Sequence, residues 1–219
     1  MPIELDSLTI KGYNDRSIMN SLLIPGSASG PISIILPGLH YAVDMPMLYY
    51  ATGILLEAGH SVLSVDTRYS GEKEFMSVSS QERAEWMFRD SEAVYEAIQD
   101  LENYSLSVMV GKSLGTIMMS RMVQKYPEIE DKKILWLTPL LKQDWVVEQI
   151  IAHKGKSLVV IGTADPHYDD DTITKLVQEG RCEVLTVLRG NHSLDVPEGV
   201  LSSMEQLQTI MKQFKDFIH

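Results

Sequence analysis

Apolar residues change their rhythm along this chain. Near the N-terminus, Ile3–Ile10 and Ser17–Leu23 read as two strands around the polar turn Gly12-Tyr13-Asn14-Asp15, which predicts an antiparallel hairpin. Beyond it the β-rich runs are short and mostly continuous: Ile32–Leu36, Ser61–Val65, Leu106–Val110, Lys133–Leu137, Leu158–Ile161 and Glu183–Leu188. An alternating strand has one wet face. A continuous run needs cover on both, as in a parallel sheet flanked by helices.

Helical periodicity fills the gaps. Met47, Leu48, Ala51, Ile54, Leu55 and Ala58 fall on one stripe, closed by Gly59 in a helix-stop position. Ala84, Met87, Phe88, Val94, Ile98 and Leu101 make a second, preceded by Ser79 and Glu82 at capping-box spacing. A third helix follows Ser113 and ends near Pro127, and a short one is predicted over Asp144–Ala152. The last runs through Leu201, Met204, Leu207, Ile210, Met211, Phe214 and Phe217. Strands alternating with helices predict an α/β fold, a mostly parallel sheet with helices on both faces. The right-handed crossover rule leaves few topologies for it. No repeat and no Pro/Gly/Ser-rich linker interrupts the pattern, so a single domain is expected over 1–219. The short helix is the sole candidate element between the strands ending at Leu137 and starting at Leu158, which leaves no room for a large lid.

Composition narrows the class. A chain of 219 residues buries one sizeable core, and its 44% hydrophobic and 22% charged content is that of a globular protein. A formal charge of −11 disfavours nucleic acid, which needs a basic surface. No apolar run reaches the roughly 18 residues of a membrane span. The start of the chain lacks the basic and apolar stretches of a signal peptide, so a cytoplasmic protein without membrane association is expected. The single cysteine, Cys182, cannot form an intramolecular disulfide, and its apolar run marks it as a buried strand residue.

The chemistry concentrates where Leu106–Val110 runs directly into Gly111-Lys112-Ser113-Leu114-Gly115 and a helix follows. G-x-S-x-G between strand and helix is a nucleophile elbow. So tight a turn holds the serine in strained backbone angles, at a cost of about 1–3 kcal/mol. The glycines remove side chains that would strike the neighbouring strand and helix. Ser113 Oγ then stands at the carboxyl end of the sheet, where the helix N-terminus and the Leu114 N–H can stabilise negative charge. Lys112, inside the elbow, reads either as a binder of acidic substrates or as a solvated side chain, the second being favoured.

On these residues the chain resembles the α/β-hydrolases, in the small lid-less size class of bacterial esterases and dienelactone hydrolases. The resemblance covers nearly the whole chain. It rests on the elbow, the chain order Ser, Asp, His, and a count of eight strands. It implies that family's strand order, with active-site loops at the carboxyl ends of the strands. A serine needs a base and a group to orient it. His192, in Arg189-Gly190-Asn191-His192-Ser193-Leu194 after the last strand, matches the family's base. Asp165, in Gly162-Thr163-Ala164-Asp165, resembles the family's G-x-x-D acid, which holds the imidazole in the useful tautomer. Of the other histidines, His60, His153 and His219 read as solvated and His40 as a loop residue. Asp169, Asp170 and Asp171 read as a helix-start cluster.

The second oxyanion donor is expected from the loop after the third strand, Leu36-Pro37-Gly38-Leu39-His40-Tyr41. Pro-Gly stands here where many relatives carry His-Gly. By position the donor is the Leu39 N–H, with Leu114 as the other. His40, Leu141, Trp145, Tyr168 and Leu194 are candidate pocket residues, the last four equally readable as core. Asp165, His167, Asp169 and Asp170 crowd one turn without metal-ligand spacing, so no metal or cofactor is expected.

Together these readings predict a serine hydrolase that cleaves a carboxylic ester or thioester of a small-molecule acyl substrate through an acyl-enzyme. The same machinery suits a peptidase, an acyltransferase or a perhydrolase, because fold and triad do not fix the substrate. A non-catalytic ligand-binding protein on the same fold is the reading of a different class, and a strained serine argues against it.

Overall fold

The predicted hairpin forms, with a shorter first arm. A computed structural model, describing residues 2–26, 29–180 and 182–219, pairs β1 (Ile3–Asp6) antiparallel with β2 (Met19–Pro25). Pairing stops after Asp6 because the Asn20 side chain takes over the backbone of Leu8. Its Oδ1 accepts from the Leu8 N–H and its Nδ2 donates to the Leu8 carbonyl, both at 2.8 Å. In the turn, Asn14 and Asp15 hold φ of 51° and 56°, a left-handed region that short polar side chains tolerate.

The other strands lie close to their predicted positions: β3 (Gly30–Leu36), β4 (Ser61–Asp66), β5 (Tyr104–Lys112), β6 (Lys133–Leu137), β7 (Ser157–Gly162) and β8 (Cys182–Val187). So do the helices α1 (Pro46–Glu57), α3 (Ser80–Gln99), α4 (Leu114–Lys125), α5 (Asp144–Ala152) and α7 (Val200–Ile218). Ser79 and Glu82 form the reciprocal capping box at the start of α3. Two helices have no apolar stripe in the sequence reading, α2 (Lys73–Ser77) and α6 (Asp170–Glu179). The acidic cluster does start α6: the Asp169 carboxylate accepts from the Thr172 N–H at 2.8 Å.

The strands are ordered β1-β2-β4-β3-β5-β6-β7-β8. Pairs β1–β2 and β2–β4 are antiparallel and all others parallel. Alternation along each strand sends side chains to two cores. Ile32, Ile34, Met109, Ile134, Trp136, Val159 and Ile161 face the layer of α3, α4, α5 and α6. Ile35, Val62, Val108, Val110, Leu135, Leu137, Leu158 and Val160 face α1 and α7. Both faces of the central strands are therefore dry, which is why their sequences lack polar alternation.

Two histidines expected in solvent are buried instead. His60 Nδ1 lies 2.8 Å from the Oγ of buried Ser33. His153, at the end of α5, has Nδ1 and Nε2 each 3.2 Å from a partner, Ser157 Oγ and the Ile129 carbonyl. The His153 ring thus bridges the start of β7 and the turn at Ile129, and burial lowers the pKa of both imidazoles. Cys182 is half-buried at the start of the edge strand. Its Sγ donates to the Leu176 carbonyl at 3.1 Å, and burial pushes the thiol up to about 11. No helix among the described residues is long and apolar enough to cross a membrane.

Candidate active site

Ser113 sits between β5 and α4 with φ 52° and ψ −114°, the strained turn the motif predicts. The glycine two residues on is dictated by space. A Cβ on Gly115 would lie 2.4 Å from the Leu36 carbonyl oxygen of β3. The elbow is also tied to its surroundings: the Ser113 N–H donates to the Leu137 carbonyl at 3.0 Å, and its own carbonyl accepts from Thr116 N and Oγ1.

His192 reaches Ser113 from the loop after β8. Its Nε2 lies 2.8 Å from Ser113 Oγ and its Nδ1 lies 2.7 Å from Asp165 Oδ2. The Asp165 side chain is fully buried, while the imidazole is about one-third exposed, with a side-chain accessibility of 37%. Asp165 Oδ1 accepts from the His167 N–H at 2.8 Å, so both carboxylate oxygens are engaged.

The loop that carries His192 is a braced structure. Arg189 N donates to Thr163 Oγ1 at 2.8 Å and Ala164 N to the Gly190 carbonyl at 3.0 Å, which ties the loop to the turn after β7. Asn191 Oδ1 accepts from Ser193 N and Asp195 N, folding the segment around His192. Arg189 and Leu194, on either side, adopt φ of 59° and 69°. With Ser113 and Thr138 (φ 42°), much of the left-handed non-glycine backbone gathers at this end of the sheet, where functional sites concentrate strain.

The loop after β3 lies against Ser113: a Cβ on Gly38 would stand 3.3 Å from Ser113 Cβ. Leu39 follows Gly38 in this loop, and Leu114 opens α4. The candidate pocket residues scatter. His40 is exposed and lines a groove with Asp66 and Arg68, whereas Leu141 is buried in the α3–α6 core. Trp145 packs edge-on against Phe88, and the Tyr168 hydroxyl donates to Asp170. Leu194 is buried in the α1–α7 core beside a cleft of about 490 Å³ shared with Tyr41 and Met204.

The sequence reading gives two neighbours of the site no part in it. His167, dismissed with the acidic turn, has its ring 5.6 Å from that of His192, and burial lowers its pKa. Its Nδ1 is buried without a hydrogen-bond partner. Lys112 corrects the expectation of a solvated side chain: it is 1% exposed. Val108, Val110 and Lys112 share one face of β5, so the period-two rule that buries the valines buries the lysine too. Among the described residues no group of His, Cys, Asp and Glu side chains is arranged to hold a metal ion.

No protein-family model matches the chain, and no curated protein matches it. Solved structures do. Est1E from Butyrivibrio proteoclasticus, with ferulic acid bound, aligns over 96% of this chain and 97% of its own, with TM-score 0.71 and 13% identity. A lid-less α/β serine hydrolase from Xanthomonas campestris aligns over 100% and 95%, with TM-score 0.69 and 16% identity. A dienelactone hydrolase from Anabaena variabilis aligns over 98% and 96%, with TM-score 0.66 and 13% identity. The chain has the α/β-hydrolase fold, and its neighbours within that fold include a lid-less serine hydrolase and a dienelactone hydrolase.

Proposed function

We propose that this protein is a single-domain serine hydrolase that cleaves a small carboxylic ester or thioester through an acyl-enzyme. The observation that carries the reading is the unbroken chain of contacts from Ser113 Oγ through His192 to buried Asp165, at 2.8 and 2.7 Å. In that reading Ser113 Oγ attacks the acyl carbon while His192 Nε2 takes its proton. Asp165 holds Nδ1–H in place and stabilises the imidazolium without itself being protonated. The tetrahedral oxyanion is held by the N–H groups of Leu114 and Leu39, and the first of these adds the favourable end of the α4 dipole. His192 returns the proton to the leaving alcohol or thiol. A water, deprotonated by the same imidazole, then releases the acid and regenerates Ser113.

The experiment is intact-mass spectrometry after fluorophosphonate treatment, with Ser113→Ala as control. One adduct, absent in the variant, supports the reading, and an unlabelled folded protein overturns it. A panel of p-nitrophenyl esters, acyl thioesters and aminopeptidase substrates then separates ester from thioester and amide chemistry. A ferulate ester belongs in that panel because the neighbouring Est1E binds ferulic acid.

A further inference from the structure

Lys112 is among the largest fully buried side chains, and the mechanism above gives it no task. Its ammonium donates to Thr138 Oγ1 at 2.8 Å and to the main-chain carbonyl of His192 at 2.7 Å. The same nitrogen stands 4.6 Å from the centre of the Tyr41 ring, within cation–π range. The groups facing it come from four places: Thr138 after β6, Tyr41 after β3, Asp165 after β7, and His192 and Asp195 after β8. A buried cation is costly, and an apolar side chain of similar size would pack there more favourably. Stability therefore does not account for it. Its position does: it precedes Ser113 in the chain and grips the backbone of His192.

We propose that Lys112 is a positioning residue that fixes the His192 loop to the nucleophile's own strand and sets a positive charge against that loop. The proposal rests on the reading of Ser113 and His192 as nucleophile and base. The tether holds the ring over Ser113 Oγ. Protonating the imidazole adds a second positive charge to a loop that already holds the ammonium, so removing the ammonium should move the acid limb of labelling upward. Asp165, beside Nδ1, and His167, with its ring 5.6 Å away, are titratable groups that face the imidazole.

The test is the rate of fluorophosphonate inactivation across pH for the wild type, Lys112→Met and Lys112→Gln, with folding checked by circular dichroism. For Lys112→Met we expect the acid limb to move up by about one unit and the rate at neutral pH to fall about tenfold. Glutamine keeps a donor for the His192 carbonyl but no charge. Lys112→Gln should recover part of the plateau rate while its acid limb stays displaced, and it carries the test alone if the methionine variant does not fold. An acid limb in its wild-type place in a folded variant overturns the proposal, even if the rate falls, since that is the result of simple structural damage. A wild type that takes no label at all overturns the serine-hydrolase reading instead.

Discussion

Ser113, Asp165 and Lys112 each hold a state that an isolated residue would avoid: a strained backbone, a buried carboxylate and a buried ammonium. Asp165→Asn keeps the shape of the site but removes the charge that, in the proposed mechanism, orients and stabilises the imidazole. Turnover should fall by about 10³–10⁴ with thermal stability little changed, as steady-state kinetics beside a melting curve would establish. Lys112 has the opposite profile. Burial lowers its pKa from 10.5 to about 8, so the folded state resists the proton that the unfolded chain accepts readily. Below pH 8 both states carry the charge and the penalty is complete, on the order of 3 kcal/mol. Between 8 and 10.5 only the unfolded state holds the proton, and stability rises with pH. Lys112→Met should therefore melt higher than wild type at pH 7, and the gap should narrow towards pH 10. A stability gap that stays constant with pH would contradict this assignment. The sequence made Ser113 legible because a short motif with defined flanks encodes it. It hid Lys112 because a charged residue at a strand end looks solvated until the loop that buries it is in place.

Among the elements, the contacts between β7 and the loop after β8 matter most to the site. A Cβ on Gly162 would stand 1.9 Å from the Gly190 carbonyl oxygen, where two backbones meet with no room for a side chain. Gly162→Ala should push the His192 loop outward, cutting the labelling rate of Ser113 by about 10²-fold, the scale of a slightly misplaced catalytic group. Gly53, inside α1, meets nothing within 4 Å. There the same substitution should stabilise the fold by about 0.5–1 kcal/mol, readable in urea denaturation, without affecting labelling. Helices α1, α3 and α7 were legible because each carries an apolar stripe, α4 because it lies between the elbow and Pro127, and α5 as the short candidate between two strands. Helix α2 is five residues long, too short for periodicity to show, and Phe75 packs it on Tyr69 with ring centres 4.4 Å apart. The early end of β1 depends on one side chain, Asn20, competing for the backbone of Leu8, which no strand pattern reveals.

For the whole molecule, the antiparallel end of the sheet is fastened by a buried polar cluster. The fully buried Asp90 carboxylate of α3 accepts from Tyr13 N, Arg16 Nη2 and the Tyr69 hydroxyl at 2.8, 3.0 and 2.9 Å. Asp90→Ala leaves those three donors facing a cavity and should cost about 3 kcal/mol, seen as a lower melting temperature far from Ser113. The mostly parallel sheet with dry faces was visible in the continuous runs, whereas this cluster joins residues more than seventy positions apart and has no local trace. The same separation governs the site. Ser113 and His192 are 79 residues apart, and β6, β7 and β8 must join the sheet before they meet. Under the proposed function a nascent or half-refolded chain carries an inert serine, and reactivity at Ser113 becomes a clock for the last step of assembly. In a refolding experiment the label should enter only after helical ellipticity has returned.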